Sequence, residues 1–161
     1  MIEIKELRAL AKKAEPLSKQ LIKKNKKKFE KLDNRIHQLH EQYSNKYDCL
    51  QCANCCRSLG PMLTDRDIDK MAKALQMKPS AVVETYLRID EDGDYVFKTM
   101  PCPFLMADNY CQIYENRPKA CREYPHTDRK KFYQIASLSI KNTYVCPIVY
   151  EVIEELKEDL K

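Results

Sequence analysis

The sequence predicts a mainly α protein, with a small α+β arrangement as its nearest alternative. The expected body is a cysteine-rich helical domain stapled by metal, with one short β-hairpin and a basic helical extension at the N-terminus. Three observations carry this. Apolar residues recur at helical spacing in the first 46 residues and again in later segments, the pattern of a half-buried helix. Glycine is nearly absent, at Gly60 and Gly93 only. Eight cysteines include four packed into "CLQCANCC", residues 49–56.

The helical reading starts with residues 1–46. Leu7, Leu10, Ala14, Leu17 and Leu21 follow a 3–4 spacing. Ile22, Phe29, Leu32, Ile36, Leu39 and Tyr43 continue it, with Asn25 filling the longest step. Pro16 should kink this helix or start a second one. The segment carries 13 Lys or Arg against 6 Asp or Glu, whereas the remainder carries 16 against 18. This charge split divides the chain into a basic extension, residues 1–46, and a cysteine-cluster domain, residues 47–161.

Within the second part, "TDRDIDKMAKAL" has an N-cap at Thr64, acids in its first turn, and Ile68, Met71, Ala72 and Leu75 on one face; it is a helix. "KPSAVVETYL" is a shorter helix with Pro79 near its start. "EDGDYVFK" reads as a turn followed by a strand. "FLMADNYCQIY" reads as a tight hairpin around Asp108 and Asn109, joining two short strands. "RPKACREYP" is a short helix opened by Pro118 and stopped before Pro125. "PIVYEVIEELKEDLK" closes the chain as a helix with Ile148, Val152, Leu156 and Leu160 on its apolar stripe.

Composition bounds the function. Apolar residues, 43% of the chain, suffice for one modest core. No apolar run approaches the ~20 residues that cross a bilayer. "MIEIKELRALAKKAEP" shows no secretory signal, so the expected compartment is the cytoplasm. There thiols stay reduced, and clustered cysteines point to metal or catalysis before disulfides. The missing glycines exclude the G-x-G-x-x-G and G-x-x-x-x-G-K-[ST] loops, and the same logic argues against a self-contained S-adenosylmethionine site. The reading leans away from an enzyme.

The candidate metal ligands are Cys49, Cys52, Cys55, Cys56, Cys102, Cys111, Cys121 and Cys146. C-x2-C is the usual half of a zinc site, because a turn brings both sulfurs to one cation. C-x2-C-x2-C with a distant Cys-Pro is also how ferredoxin-type clusters are held. This chain has the triple at 49, 52 and 55, and Cys-Pro at both 102 and 146. The bland alternatives are buried small apolar residues, a disulfide framework, or a single catalytic thiol.

The ordered set "CLQCANCC", "CPFL", "CQIYENRPKACREYP" and "CP" resembles the CxxCxxCC, or YkgJ-type, bacterial cysteine-cluster family of zinc- or iron-chelating domains. The resemblance takes in all eight cysteines, over residues 49–147, and leaves out the basic extension and the closing helix. Its most specific block runs from Cys111 through Ile113, Tyr114, Glu115, Arg117, Pro118, Cys121 and Arg122 to Pro125. The resemblance implies metal chelation by the eight cysteines and no agreed activity. A related cluster occurs in flagellin lysine methylases, much longer chains whose remaining parts are not seen here. Eight thiolates fit two four-coordinate centres, or one cluster plus a second site. The metal is iron, as a cluster such as [4Fe–4S], or zinc, with the C-x2-C-x2-C and Cys-Pro pattern favouring the cluster. Adjacent Cys55 and Cys56 should point apart and serve different centres or different sides of one.

Other residues receive weaker readings. His126 is read as a loop histidine before a ligand or proton carrier. His37 and His40 share a helix face and are read as solvated. Arg117 and Arg122 flank Cys121 and would offset thiolate charge, or with Glu123 form a surface ion pair. Tyr114 and Tyr124 would pack over the metal core. "KKNKKK", residues 23–28, could grip phosphate or an anionic surface, or be one solvated face; without interleaved aromatics, nucleic acid is not favoured. The apolar stripe of residues 22–43 should dock on the cysteine body or on a second copy, making a protein partner or self-association through this helix an expectation. The whole reads as a metal-binding protein with a redox or metal-handling role. Its rivals are a cluster-bearing subunit or partner of a protein-modifying enzyme such as a lysine methyltransferase, and a nucleic-acid-associated zinc module.

Overall fold

The computed structural model describes residues 2–161. In chain order the helices are α1 (Ile4–Lys24), α2 (Lys26–Phe29), α3 (Asp33–Ser44), α4 (Cys49–Cys52), α5 (Asn54–Ser58), α6 (Asp65–Leu75), α7 (Pro79–Tyr86), α8 (Lys119–Glu123), α9 (Ala136–Asn142) and α10 (Pro147–Leu160). Strands β1 (Leu87–Ile89) and β2 (Tyr95–Phe97) lie between α7 and α8. Single 3-10 turns occupy Tyr114–Asn116 and Phe132–Ile135. The fold is mainly α with one short antiparallel hairpin, as the sequence predicts. No helix among the described residues is long and apolar enough to cross a membrane. The chain forms two compact units, one made of residues up to Cys52 with Pro125–Lys161, the other of Ala53–Tyr124.

The first unit is organised by α10, which packs against α1, α3 and α9. Ile148, Val152, Leu156 and Leu160 are buried as the periodicity requires, and Val149 and Ile153 widen the stripe. Opposite them Phe29, Ile36, Leu39 and Tyr43 are buried, so the basic segment docks through its apolar face. Each such side chain contributes about 1.5–3 kcal/mol. Phe29 meets Phe132 edge-on at 6.1 Å between centroids. Polar groups then set the register. Tyr43 Oη donates to Glu155 at 3.0 Å, Tyr47 Oη to Glu151 at 2.7 Å, and Arg35 Nε to Asp159 at 3.0 Å.

The structure refines three expectations for this unit. The buried positions of α1 are Leu7, Ala11 and Ser18, while Leu17 is 44% exposed. A straight helix of 3.6 residues per turn brings 7, 11 and 18 to one side, and Ser18 satisfies its hydroxyl by donating to the Ala14 carbonyl at 3.0 Å. Pro16 lies inside α1 and starts no second helix; the break comes at Asn25. His37 and His40 are not merely solvated. His37 Nε2 lies 3.1 Å from the Arg129 carbonyl, and His40 Nδ1 lies 2.7 Å from Thr127 Oγ1. Both tie α3 to the segment that follows Pro125.

The second unit has its own core of Leu63, Ile68, Met71, Val82, Leu87, Phe97, Phe104 and Ile113. Phe104 packs against Tyr86 at 4.9 Å and Phe97 at 5.7 Å. Thr64 caps α6 in a full capping box with Asp67, which fixes where the helix begins. Leu87 leaves α7 and opens β1, pairing with Phe97. Gly93, at φ 85°, makes the turn between the strands without the penalty a side chain would carry. The predicted turn at Asp108 and Asn109 is present, with Asn109 at φ 68°. Its two strands reduce to one bridge, Leu105 with Cys111.

Candidate metal centre

None of the eight cysteines is in a disulfide. The structure sorts seven of them into two sets, one in each unit, and places Cys55 beside the second set.

In the first unit, α4 carries Cys49 and Cys52. Asp48 opens this turn: its carboxylate accepts from the backbone N–H of Leu50 at 2.9 Å, and its carbonyl accepts from Cys52 at 3.0 Å. Cys146 stands at the N-cap of α10, and Pro147 takes the first helical position, where a missing N–H costs nothing. Cys146 is only 7% exposed, whereas Cys49 is exposed. Burial pushes the Cys146 thiol up to about 12, and the charges of Cys49 and Cys52 push in the same direction. Cys146 therefore feels both Cys49 and Cys52, although 94 positions of sequence separate it from Cys52.

In the second unit, four segments each deliver one cysteine. Cys56 lies on α5, and its carbonyl accepts from the Cys102 N–H at 2.8 Å, which joins the first two segments. Cys102 follows a cis Met100–Pro101 bond. Cys111 follows the Asp108 and Asn109 turn, where the Gln112 N–H donates to the Phe104 carbonyl at 2.8 Å. Cys121 lies on α8, whose start is held by the Lys119 N–H donating to buried Asp67 at 2.9 Å.

These four thiols form one electrostatic group. Burial raises Cys102 to about 11, and Cys56 and Cys111 add to it. Burial raises Cys111, and Cys56 adds to it. Burial raises Cys121 to about 12, helped by Cys102, Cys56 and Cys111. Every pairing among the four is thus coupled. Cys56 is the exception in direction: a contact with the Cys55 sulfur, 3.9 Å away, holds it down at about 7, with the Arg57 charge assisting against burial. Half-buried, mutually repelling thiols favour the protonated form, and a cation reverses that preference.

Cys55 and Cys56 do not point apart. Both sit in the short helix α5, and their sulfurs approach to 3.9 Å. Consecutive helical residues diverge by about 100° at Cα, but each Cβ–Sγ bond can swing toward the other. The two arginines also part company. Arg117 bears on Cys111 and Cys121 and lowers both against the larger effect of burial. Its guanidinium lies 3.8 Å from the centre of the Tyr114 ring, which stacks in turn on Tyr110 at 5.2 Å. Arg122 donates to the Arg117 carbonyl at 2.6 Å, and its charge bears on Asp67. Glu123 pairs with Lys119 at 3.6 Å. His126 lies in a loop at φ 65°. Asp67, the residue that anchors the helix of Cys121, is what the sequence reading missed; the only signal was its place three residues after Thr64, the N3 position of a capping box.

Among the described residues no group of three or more His, Cys, Asp or Glu side chains is drawn together closely enough to hold an ion as it stands. The donor chemistry fits a thiophilic metal, with sulfur-only sets in which the sulfurs lie within Coulombic reach of one another. Closing on an ion requires the sulfurs to draw in.

A family model described as "CxxCxxCC: Putative zinc- or iron-chelating domain" matches residues 48–144. No curated protein and no solved structure matches the chain.

Proposed function

The chain belongs to the CxxCxxCC family of zinc- or iron-chelating domains, and from that premise we propose that it chelates metal at two separate thiolate sets. One is Cys56, Cys102, Cys111 and Cys121. The other is built on Cys49, Cys52 and Cys146. Cys55 neighbours the set that contains Cys56 and completes the eight candidate ligands. The observation that carries the proposal is the coupling of four thiols from four distant segments, each in a position its local backbone defines. Four thiolates suit zinc as a closed tetrahedral site or iron as a [4Fe–4S] cluster. Each set carries one Cys-Pro dipeptide, at Cys102 and at Cys146, the feature of ferredoxin-type clusters that favours iron. Bound metal supplies folding free energy directly, and an iron cluster also supplies one-electron redox chemistry. The chain's own contribution is to hold the sulfurs in place, to pack Cys102 and Cys111 against the Phe104 core, and to set Arg117 against the charge of Cys111 and Cys121.

Anaerobic purification, followed by metal analysis and absorption spectroscopy, tests this reading. Iron with a broad visible absorption identifies the cluster; zinc with a blank visible spectrum identifies the closed site. A full-length protein that retains neither metal after anaerobic reconstitution with each would refute chelation. Alkylation of the denatured, metal-stripped protein should reach all eight cysteines, and two or more native disulfides would overturn the thiolate assignment.

A further inference from the structure

The second unit contains a cleft of about 480 Å3 lined by Thr64, Arg66, Asp67, Lys70, Lys119 and Arg122. We propose that this cleft binds the phosphate group of a small soluble phosphorylated ligand, independently of the metal sets.

Two pairs of like charge line it. Arg66 and Lys70 lie four residues apart on α6, and Lys119 and Arg122 lie three apart on α8. At these spacings side chains are neighbours on the helix surface, and like charges there repel. Among the described residues Arg66 and Lys70 form no ion pair, and Lys119 has only exposed Glu123, at 3.6 Å. Arg122 spends one nitrogen on the Arg117 carbonyl, and its other donors remain available. Asp67 lines the cleft too, but its oxygens are already engaged by the Thr64 N–H and hydroxyl and by the Lys119 N–H. It holds α6 and α8 together and sets the two cationic pairs around the same space. Four cations against Asp67 and Glu123 leave an excess of two positive charges. A phosphate monoester carries about −1.5 to −2 at neutral pH. Guanidinium forks suit its oxygens geometrically, and ammonium groups add point charge. The Thr64 N–H is taken by the Asp67 carboxylate and the Asp67 N–H by the Thr64 hydroxyl, and the recognition rests on side chains.

The test uses the metal-loaded full chain at constant ionic strength, with inorganic phosphate as the probe followed by phosphorus NMR and by thermal shift. Saturable binding is expected. Arg66→Gln with Lys70→Gln should weaken it by about tenfold per side chain, because each removes a charge-assisted bond. Lys23→Gln with Lys24→Gln, which removes the same charge from the other unit, should leave it unchanged. Citrate should bind at least about tenfold more weakly than phosphate. Failure of phosphate to saturate, equal loss in the two double variants, or citrate binding as tight as phosphate would each overturn the proposal. None of these readouts depends on which metal the cysteines hold.

Discussion

Replacement of Asp67 by asparagine probes the joint that positions Cys121. The carboxyl group belongs to a residue only 3% exposed. It accepts from the Thr64 N–H at 3.0 Å, the Thr64 hydroxyl at 2.7 Å and the Lys119 N–H at 2.9 Å. Asparagine keeps one acceptor oxygen and turns an NH2 toward one of these donors. One buried N–H then faces a donor, at a cost of about 1–3 kcal/mol. Losing the charged half of the capping box adds about 1 kcal/mol, for a total of about 2–4 kcal/mol. In a chain of this size that corresponds to a fall in Tm of about 5–15 °C. The pH dependence has a definite sign. Burial alone would raise the Asp67 carboxyl, but the bonds from Thr64 and Lys119 and the Arg122 charge outweigh it and leave it lowered. A lowered carboxylate stabilises the fold above its unfolded value, about 3.9, and loses that contribution as pH falls through its lower folded value. The gap between parent and variant should therefore be full at pH 6 and shrink as pH falls below the unfolded value of about 3.9. Thermal melts monitored by circular dichroism across this range measure it, with metal retention recorded in parallel because α8 carries Cys121. A variant that melts within about 1 °C of the parent at pH 6 would refute the reasoning.

Other consequences are as direct. Cys121→Ser and Cys146→Ser should each lower bound metal, and together lower it further, as measured by metal analysis; a double variant that loses no more metal than either single variant would mean a single centre. Because Cys102, Cys121 and Cys146 are raised in the metal-free chain, metal uptake should release protons and strengthen as pH rises from 6 to 8. Calorimetry in two buffers of different ionisation enthalpy reads that release, and its absence would count against thiol ligands. The same raised thiols stabilise the metal-free fold below the ordinary cysteine range and cease to do so as pH climbs toward about 11–12. Phe29→Ala should cost about 3–5 kcal/mol in denaturant unfolding, because Phe29 is 2% exposed and packed edge-on to Phe132; a loss under about 1 kcal/mol would mean that the N-terminal helices do not share the α10 core.

Most of the elements were legible because their signals are local. The Thr64 cap, the α10 stripe and the turn at Asp108 and Asn109 follow from residues within a few positions of one another. The stripe of α1 was read one position out, since Leu17 lies beside the buried face that Ser18 occupies. The roles of His37 and His40 could not be read, because their partners Arg129 and Thr127 lie 92 and 87 residues away.

By itself the sequence determined the helical class, the eight candidate ligands and the buried face of α2 and α3 at Phe29, Ile36, Leu39 and Tyr43. Periodicity and cysteine chemistry are properties of short stretches, and they survive whatever the rest of the chain does. Only the tertiary structure decided which thiols share an electrostatic environment, that Arg117 and not Arg122 bears on them, and that a buried Asp67 ties α6 to the helix of Cys121. Those outcomes depend on distances and burial between segments far apart in the chain. Coulomb coupling and desolvation act through space, so no spacing of letters encodes them.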